Sequence, residues 1–532
     1  MATSYAQHFS TKATPQTEAI PGTKQVENSA GGFSWVVDDW ARLDRFLLLG
    51  CEGGSYYATE RKLTIENAQG VVRCLAADGK RAVARIVEIS EAGRAPKNDP
   101  AVFCLALAAS QGNTETKATA LAAVPRVCRI GTHLFQFAES VQAFRGWGRG
   151  LRRAVGQWYA SKTPQEAAYQ LTKYQQRNGW SHRDLLRLSH PKVDEPLSTA
   201  LRWAVGKADL MSPDLRAESP LITILAFEAA KKATDKKEVV KLIRDYGLVR
   251  EHISTQFLTE PEVWDALLEK MPLTAMIRNL ATMTRIGLIA PMSAAVGKVV
   301  GELANVERLR KSRVHPIALL IALKTYQAGR GDKSDKTWVP VQQIVDALDG
   351  SFYQAFGNVE STGKRWMLGL DVSGSMASGA VGGIQGLSPR VASAAMALVT
   401  AATEPQHVIM GFSNQLVPLN ISPRQRLDDA IKVVSSLPFG GTDCALPMVY
   451  ALANKIPVDV FVTYTDSETW AGPIHAAQAL VQYRQKMGLA AKAICVGLVA
   501  NQYSVLDEND AGSLNIGGFD SAAPQVMAEF VR

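Results

Sequence analysis

Apolar positions change their period once along this chain, and the change divides it in two. From about Trp35 to Phe356 they recur at helical spacing, as in Val102, Leu105, Ala106 and Ala109, or Leu273, Met276, Ile277 and Leu280. Similar spacing marks Leu185, Leu186 and Leu188, and Leu221, Ile222, Leu225 and Ala226. Helix starts are explicit. Thr163-Pro164-Gln165-Glu166 is a capping box with proline at the first helical position. Ser181-His182-Arg183-Asp184 is an acidic variant, with Trp180 and Leu185 set as a hydrophobic staple. Many short helices without strands predict an α-solenoid of stacked pairs. No crisp repeat length emerges, so a loose HEAT-like array is expected, an irregular all-α domain being the plainer alternative.

After Gly363 the period shortens. Strand-like runs (Trp366 to Leu370, Val408 to Phe412, Val458 to Tyr464, Ala493 to Leu498) alternate with helical ones (Val391 to Thr403, Arg424 to Ser436, Cys444 to Asn454, Ile474 to Met487). That order predicts a doubly wound, mostly parallel α/β sheet with ligand sites at the carboxyl ends of its strands. The expected organisation is a flexible polar arm over 1–34, an all-α helical-repeat array over 35–360 and an α/β domain over 361–532. The polar stretch Ala328 to Lys336 reads as a surface loop, its Arg330-Gly331-Asp332 triplet a chance likeness to an adhesion signal, and a last helix is expected from Val339 to Phe356.

Composition adds three constraints. The start, Met1 to Gly32, lacks the apolar core of a signal peptide, and no apolar run reaches the roughly 18 residues of a membrane span. Six scattered cysteines without a CxxC pair argue against zinc and disulfides and for a reducing cytoplasm. The net charge of +8 is uneven: Ser361 to Arg532 carries 11 basic and 13 acidic residues, leaving +10 on the first 360. Localised basicity points to a polyanion.

The candidate chemistry begins at Asp371-Val372-Ser373-Gly374-Ser375, directly after an apolar strand. One carboxylate and two hydroxyls, two residues apart on a loop, can converge on a hard cation such as Mg²⁺, with Ca²⁺ or Mn²⁺ also suited to oxygen donors. Thr442, in the flexible Gly440-Gly441-Thr442-Asp443 loop, offers a third hydroxyl, and Asp466 a carboxylate after another strand. Asp443 is expected to cap the next helix. The set Asp371, Ser373, Ser375, Thr442 and Asp466 resembles the metal-ion-dependent adhesion site of von Willebrand factor A domains. By that resemblance Ser373, Ser375 and Thr442 bind the cation directly, Asp371 and Asp466 act through water, and a partner protein's carboxylate fills the sixth position. Phosphatase chemistry of the haloacid-dehalogenase type needs an Asp where this chain has Ser373. A Walker P-loop and a Gly-x-Ser-x-Gly elbow in the right context are missing too, so binding is expected rather than catalysis.

The basic features cluster near one helix. Tyr169, Lys173 and Arg177 are spaced to share its face, opposite Ala167, Leu171 and Tyr174. His182, Arg183, Arg187 and His190 follow, with Pro191 set to present His190 at a helix end. Further basic runs surround Trp147 (Arg145, Arg149, Arg152, Arg153), cover Lys231 to Lys237 and span Arg308 to Arg313. A solvated helix face or simple solubility accounts for such residues as readily as a phosphate track.

The stretch Lys173 to Pro191 closely resembles the signature of the Ro autoantigen family, whose ribonucleoprotein module is called TROVE. Arg42 to Tyr57, Met271 to Leu280 and Gly441 to Met448 match that family as well, in its order of parts. The resemblance implies a closed ring of HEAT-like repeats clasped by a von Willebrand-type domain. It implies small noncoding Y RNA on the outside of the ring and single-stranded 3′ ends of misfolded or fragmentary RNA in the central hole. RNA-contacting roles carry over to Lys173, Arg177 and His190, with Arg129 and His133 as hole-lining positions. The pattern is similar to bacterial members, which implies a 3′-to-5′ exoribonuclease as partner. A metal-dependent docking scaffold without RNA is the alternative.

Overall fold

The computed structural model describes residues 13–532 except 50–67, 96, 209–218, 313, 332–333, 356–359, 379–380, 382–386, 423, 438–439, 500–502 and 519–521. Residues 1–12, Cys51, Asp332 and much of the Arg42 to Tyr57 motif thus lie outside the described residues.

From Asp39 to Gln354 helix follows helix, each packing mainly on neighbours in sequence, as a repeat array does. Asp99–Gln111 sits deepest: Pro100 to Ser110 are all buried, so no polar face remains. Both capping boxes form. Glu166 N donates to Thr163 Oγ1 at 3.2 Å and Thr163 N to Glu166 Oε2 at 2.8 Å. Asp184 N and Ser181 Oγ stand 3.3 Å apart, and Ser181 N donates to Asp184 Oδ2 at 3.0 Å.

This half is not strand-free, contrary to expectation. Gln176–Arg177 pairs with Trp180–Ser181, and Arg330–Gly331 with Ser334–Thr337 inside the stretch expected to be a loop. The helix that begins at Pro164 stops at Lys173, so Tyr174 and Arg177 lie beyond it. Asn178 and Gly179, at φ 51° and 76°, turn the chain back as a tight hairpin; the primed turn needs positive φ at both positions.

The polar start is not a free arm over its described part. Thr14 N donates to Gln478 Oε1 (3.0 Å), Gln16 N to the Gly472 carbonyl (2.9 Å), and Asn28 Nδ2 to the Thr469 carbonyl (2.9 Å). Buried polar groups need partners, and these partners come from the opposite end of the sequence.

The central sheet contains β1 (Trp366–Asp371), β2 (His407–Phe412), β3 (Leu416–Pro418), β4 (Val460–Thr465), β5 (Lys492–Gly497) and β6 (Ser513–Gly517). Its spatial order is β6-β5-β4-β1-β2-β3, parallel except for β3. All six residues of β1 and of β4 are buried, as strands covered on both faces must be. Side chains alternate faces. Leu368, Leu370, Val462 and Tyr464 join a core that runs unbroken into the last array helices, while Met367, Phe461 and Cys495 face Met448, Leu480 and Tyr483.

Chain order reverses between β1 and β4, so loops diverge there and open a crevice at the strand ends. Gly369 helps to shape it. A Cβ there would stand 2.9 Å from the Pro447 ring and 3.4 Å from Phe412, so its absence lets the helix Leu446–Ala453 lie close on β1. Gly369→Val should overpack this contact and cost about 1–3 kcal/mol of stability, measurable by chemical denaturation.

This domain grips both ends of the array. Trp35 and Val36 pair with Ser504 and Tyr503, and buried Arg45 donates from Nη1 to the Tyr503 carbonyl at 3.0 Å. From the other end, Asp349 Oδ1 accepts Leu427 N at 3.1 Å, Gln327 Nε2 donates to Asp428 Oδ2 at 2.9 Å, and Asp346 pairs with Arg426. Early and late parts of the array also meet directly: His315 Nε2, just before the helix Pro316–Ala328, donates to the carbonyl of Arg94, just after the helix Gln69–Ala92, at 2.9 Å across 221 residues.

Candidate cation site and basic face

Asp371 ends β1 beside Thr465, the end of β4, because Leu370 pairs with Tyr464. Thr465 Oγ1 donates to Asp371 Oδ2 at 2.7 Å, and Ser373 N to Asp371 Oδ1 at 2.8 Å. The Ser373 and Ser375 hydroxyls are 3.1 Å apart, and the Ser375 hydroxyl also bonds the Asp466 carboxylate. Arg390 ties the Ser373 loop down from below through the Val372 and Ser373 carbonyls. Thr442 arrives on a different loop. Its carbonyl accepts Trp470 N and Ala471 N at 3.0 Å each, which fastens it to the loop leaving Asp466. Asp443 Oδ1 accepts Ala445 N at 3.0 Å in the turn before the helix Leu446–Ala453, whose N-cap is Ala445 without a side-chain cap, so Asp443 closes that turn rather than capping the helix as expected.

Asp371, Asp466, Ser373 and Thr442 are all buried, and Ser375 is half-buried. Burial, with Asp466 close by, raises the pKa of Asp371; burial does the same to Asp466. Two sequestered carboxylates held back from ionisation chiefly by burial suit a bound cation, which would restore their charge. The donors are oxygens only, matching a hard ion. Among the described residues no three His, Cys, Asp or Glu side chains cluster, so a thiolate or imidazole centre has no counterpart there. Thr465, Arg390 and Glu468 escaped the sequence reading. Glu468 stands behind Asp466 and is pushed to about 7 by burial and by that neighbour. Adjacency to Asp466 was the one available signal for Thr465 and Glu468.

The second region lies on the array. Lys173 Nζ donates to Tyr169 OH at 2.7 Å and lies 4.9 and 5.3 Å from the Tyr169 and Tyr174 ring centres. Arg177 is exposed on the hairpin rather than on the helix. His190 is exposed in the left-handed conformation that ends the helix His182–Ser189, as its place before proline suggested. Trp147 and Trp180 stack, 5.9 Å between centres, and Arg152 Nε reaches the Ser189 carbonyl at 3.4 Å. These contacts draw the helix Arg149–Ala160, the hairpin and His190 into one face.

The other basic runs are partly neutralised. Lys231 pairs with Glu228, Lys236 with Glu260 and Glu262, and Arg308 with Glu302. Among the described residues no carboxylate pairs with Arg149, Arg153, Arg177, Arg183, Arg187 or His190.

Arg129 stands elsewhere. Where the helices Gln69–Ala92 and Asp99–Gln111 face Leu273–Arg285 and Pro316–Ala328, a cavity of about 560 Å³ is lined by Lys97, Arg129, Arg278, His315, Ile277 and Tyr326 among others. Arg129 Nη1 donates to the Ser90 carbonyl at 2.8 Å and to its hydroxyl at 2.9 Å. His133 is half-buried behind Asn98, whose Nδ2 is 3.4 Å from His133 Nδ1.

His133, His182 and His252 are each held at about 4, chiefly by burial. His182 is neutral and satisfied: Tyr159 OH donates to Nδ1 at 2.7 Å, and Nε2 donates to the Gln170 carbonyl at 3.2 Å. Unfolded histidines protonate near 6.5. Stability is therefore whole above that pH and falls as pH drops from 6.5 towards 4, on the order of 3 kcal/mol for His182 alone. Urea titrations at pH 7 and pH 5 should show the fall, and His182→Gln should remove its share of it, leaving that of His133 and His252.

Residues 26–325 match the TROVE domain family, and residues 365–531 match the Ro60 vWA domain family. The chain is 41% identical over 523 residues to the RNA-binding protein RO60 of Deinococcus radiodurans, spanning 97% of each. It is 38% identical to the Caenorhabditis elegans protein of that name, over 95% of this chain and 90% of the relative. The crystal structure of the Deinococcus radiodurans RO (RSR) protein superposes with a TM-score of 0.71 at 40% identity, covering 93% of this chain and 99% of that one. In the described residues no helix is long and apolar enough to cross a membrane.

Proposed function

The chain belongs to the Ro60 family, and from that premise we propose that it is the RNA-binding core of a ribonucleoprotein. One observation carries the reading: among the described residues no carboxylate pairs with Arg149, Arg153, Arg177, Arg183, Arg187 or His190, which the packing gathers on one face, whereas each of the other two basic runs is partly neutralised, at Lys231 and Lys236 or at Arg308. An unneutralised cationic face gains most from a phosphate backbone, and its affinity comes largely from released counterions. A small noncoding RNA of the Y type lies along this outer face, held through phosphates by Arg177 and the Arg149 to Arg187 cluster. Lys173, pinned by two tyrosines, supplies a fixed charge, and His190 a ring at the rim.

Single-stranded 3′ ends of misfolded or fragmentary RNA enter the closed array on the side of Arg129 and His133. The cations Lys97, Arg129 and Arg278, set among apolar walls, support that route. A protein with both functions serves RNA quality control and stress-related RNA processing in the cytoplasm, with a 3′-to-5′ exoribonuclease as a fitting partner. The A-type domain does not catalyse. Asp371, Ser373, Ser375, Thr442 and Asp466 would hold a divalent cation, Mg²⁺ before Ca²⁺ or Mn²⁺. That cation would give a partner's carboxylate its anchor.

Filter binding with a hairpin RNA and with the same hairpin bearing a single-stranded 3′ tail tests this across a salt series. The expected result is retention of both, tighter for the tailed RNA, with affinity falling steeply in salt. Failure to retain either RNA at low salt contradicts the reading.

A further inference from the structure

Residues 14–35 lie against the cation site. Gln16 is fully buried, and its side chain joins two loops that the site depends on. Its Nε2 donates to Asp443 Oδ1 at 2.7 Å and to the Ile474 carbonyl at 2.8 Å, while its Oε1 accepts the Thr469 hydroxyl. That hydroxyl is also 3.2 Å from the Thr442 carbonyl. Gln16 thus fastens the Thr442–Asp443 loop to the loop that leaves Asp466.

The rest of the segment keeps it there. Asn28 Nδ2 holds the Thr469 carbonyl while its Oδ1 accepts Ala30 N and Gly32 N at 3.0 Å each. A Cβ on Gly32 would fall 2.0 Å from the Thr469 carbonyl, so only glycine lets the chain pass this close. On Gly472 a Cβ would meet Asp443 Oδ1 and Gln16 Nε2, both at 2.4 Å, so that position too is left bare for Gln16 to reach in. His475 Nε2 donates to the Glu18 carbonyl at 2.8 Å, and Ile20 and Trp35 pack on Ala477. A polar network with every member satisfied fixes one geometry.

We infer that residues 14–35 form a strap whose Gln16 is a positioning residue for the cation site, completing from the N-terminus what the A-type domain begins. The inference rests on the cation reading above. Thr442 is the one proposed ligand outside the two strand ends, so its loop needs a fixed stop. Gln16 supplies it through Asp443 and Thr469. Because the strap sets the ligand geometry, cation binding and strap docking stabilise each other by the same factor.

The test uses the full-length protein and Mg²⁺ alone. Isothermal titration of wild type, Gln16→Ala and Asp371→Ala is combined with hydrogen exchange of residues 14–35 with and without Mg²⁺. The expected result is a 10–100-fold loss of Mg²⁺ affinity in Gln16→Ala, the range for groups that orient ligands, with RNA affinity unchanged. Mg²⁺ should also slow exchange in the wild-type strap and not in Asp371→Ala. A strap that merely stabilises the fold would show no such response to the ion. Wild-type affinity in Gln16→Ala overturns the inference and leaves the cation site standing. Should Gln16→Ala fail to fold, unchanged wild-type exchange on adding Mg²⁺ overturns it equally. No Mg²⁺ binding by wild type overturns site and strap together.

Discussion

Replacing Lys173 and Arg177 together by alanine should lower affinity for a structured RNA by tenfold or more at low salt. It should also reduce the slope of log affinity against log salt by about one to two units. Each phosphate contact contributes somewhat under one unit to that slope, so two lost contacts are visible in a filter-binding series. Arg177 is exposed on a hairpin, so its loss removes charge without opening the core. Lys173 lies over Tyr169 and Tyr174 and is half-buried, so its loss removes a surface contact and no core side chain. The double variant should therefore fold normally. An unchanged slope would mean that the RNA passes elsewhere.

The second large effect concerns Asp371→Ala. Mg²⁺ affinity should fall at least 10–100-fold, the scale set by groups that hold bound water and ligands in place. RNA affinity should stay within about twofold, since Asp371 sits at a strand end of the α/β domain and bonds Ser373 and Thr465, none of them among the residues proposed to hold RNA. The variant loses a buried carboxylate whose neighbour, Asp466, already disfavours its charge, so the fold should tolerate it. Titration calorimetry and filter binding on one preparation check both halves. Loss of RNA affinity alongside the cation would make the ion a brace for the array rather than a docking point.

Much of this was legible in the sequence, and the exceptions have physical causes. Strands such as Trp366 to Leu370 stood out because a parallel strand buried on both faces must be apolar throughout. The placement of Asp371 and Asp466 followed from β-α order alone, since crevices open where that order reverses. Both capping boxes were read correctly because their bonds are local, three residues apart. Tyr169 and Lys173 do share a helix face, and extending that face to Arg177 was the error. Asn178-Gly179, the strongest short hairpin signal, stood in plain sight and ended the helix at Lys173. The strap could not be read at all. Its polar, Thr- and Gln-rich composition looks like a solvated arm, and its partners Asp443, Thr469 and Gln478 lie more than 400 residues away. Ion pairs that separate one basic run from another are likewise a matter of three-dimensional neighbours: Lys236 meets Glu260 and Glu262 only once the helices stack.

The central claim is that the unneutralised face around Arg177 and His190 carries a specific RNA in the cell. The most direct measurement is to purify the full-length protein from its own cells after ultraviolet crosslinking, sequence the attached RNA and map the crosslinked peptides. The account predicts one or a few small structured noncoding RNAs at near-stoichiometric yield, with crosslinks within residues 145–190. Protein free of RNA, or RNA crosslinked only to the α/β domain, would contradict it.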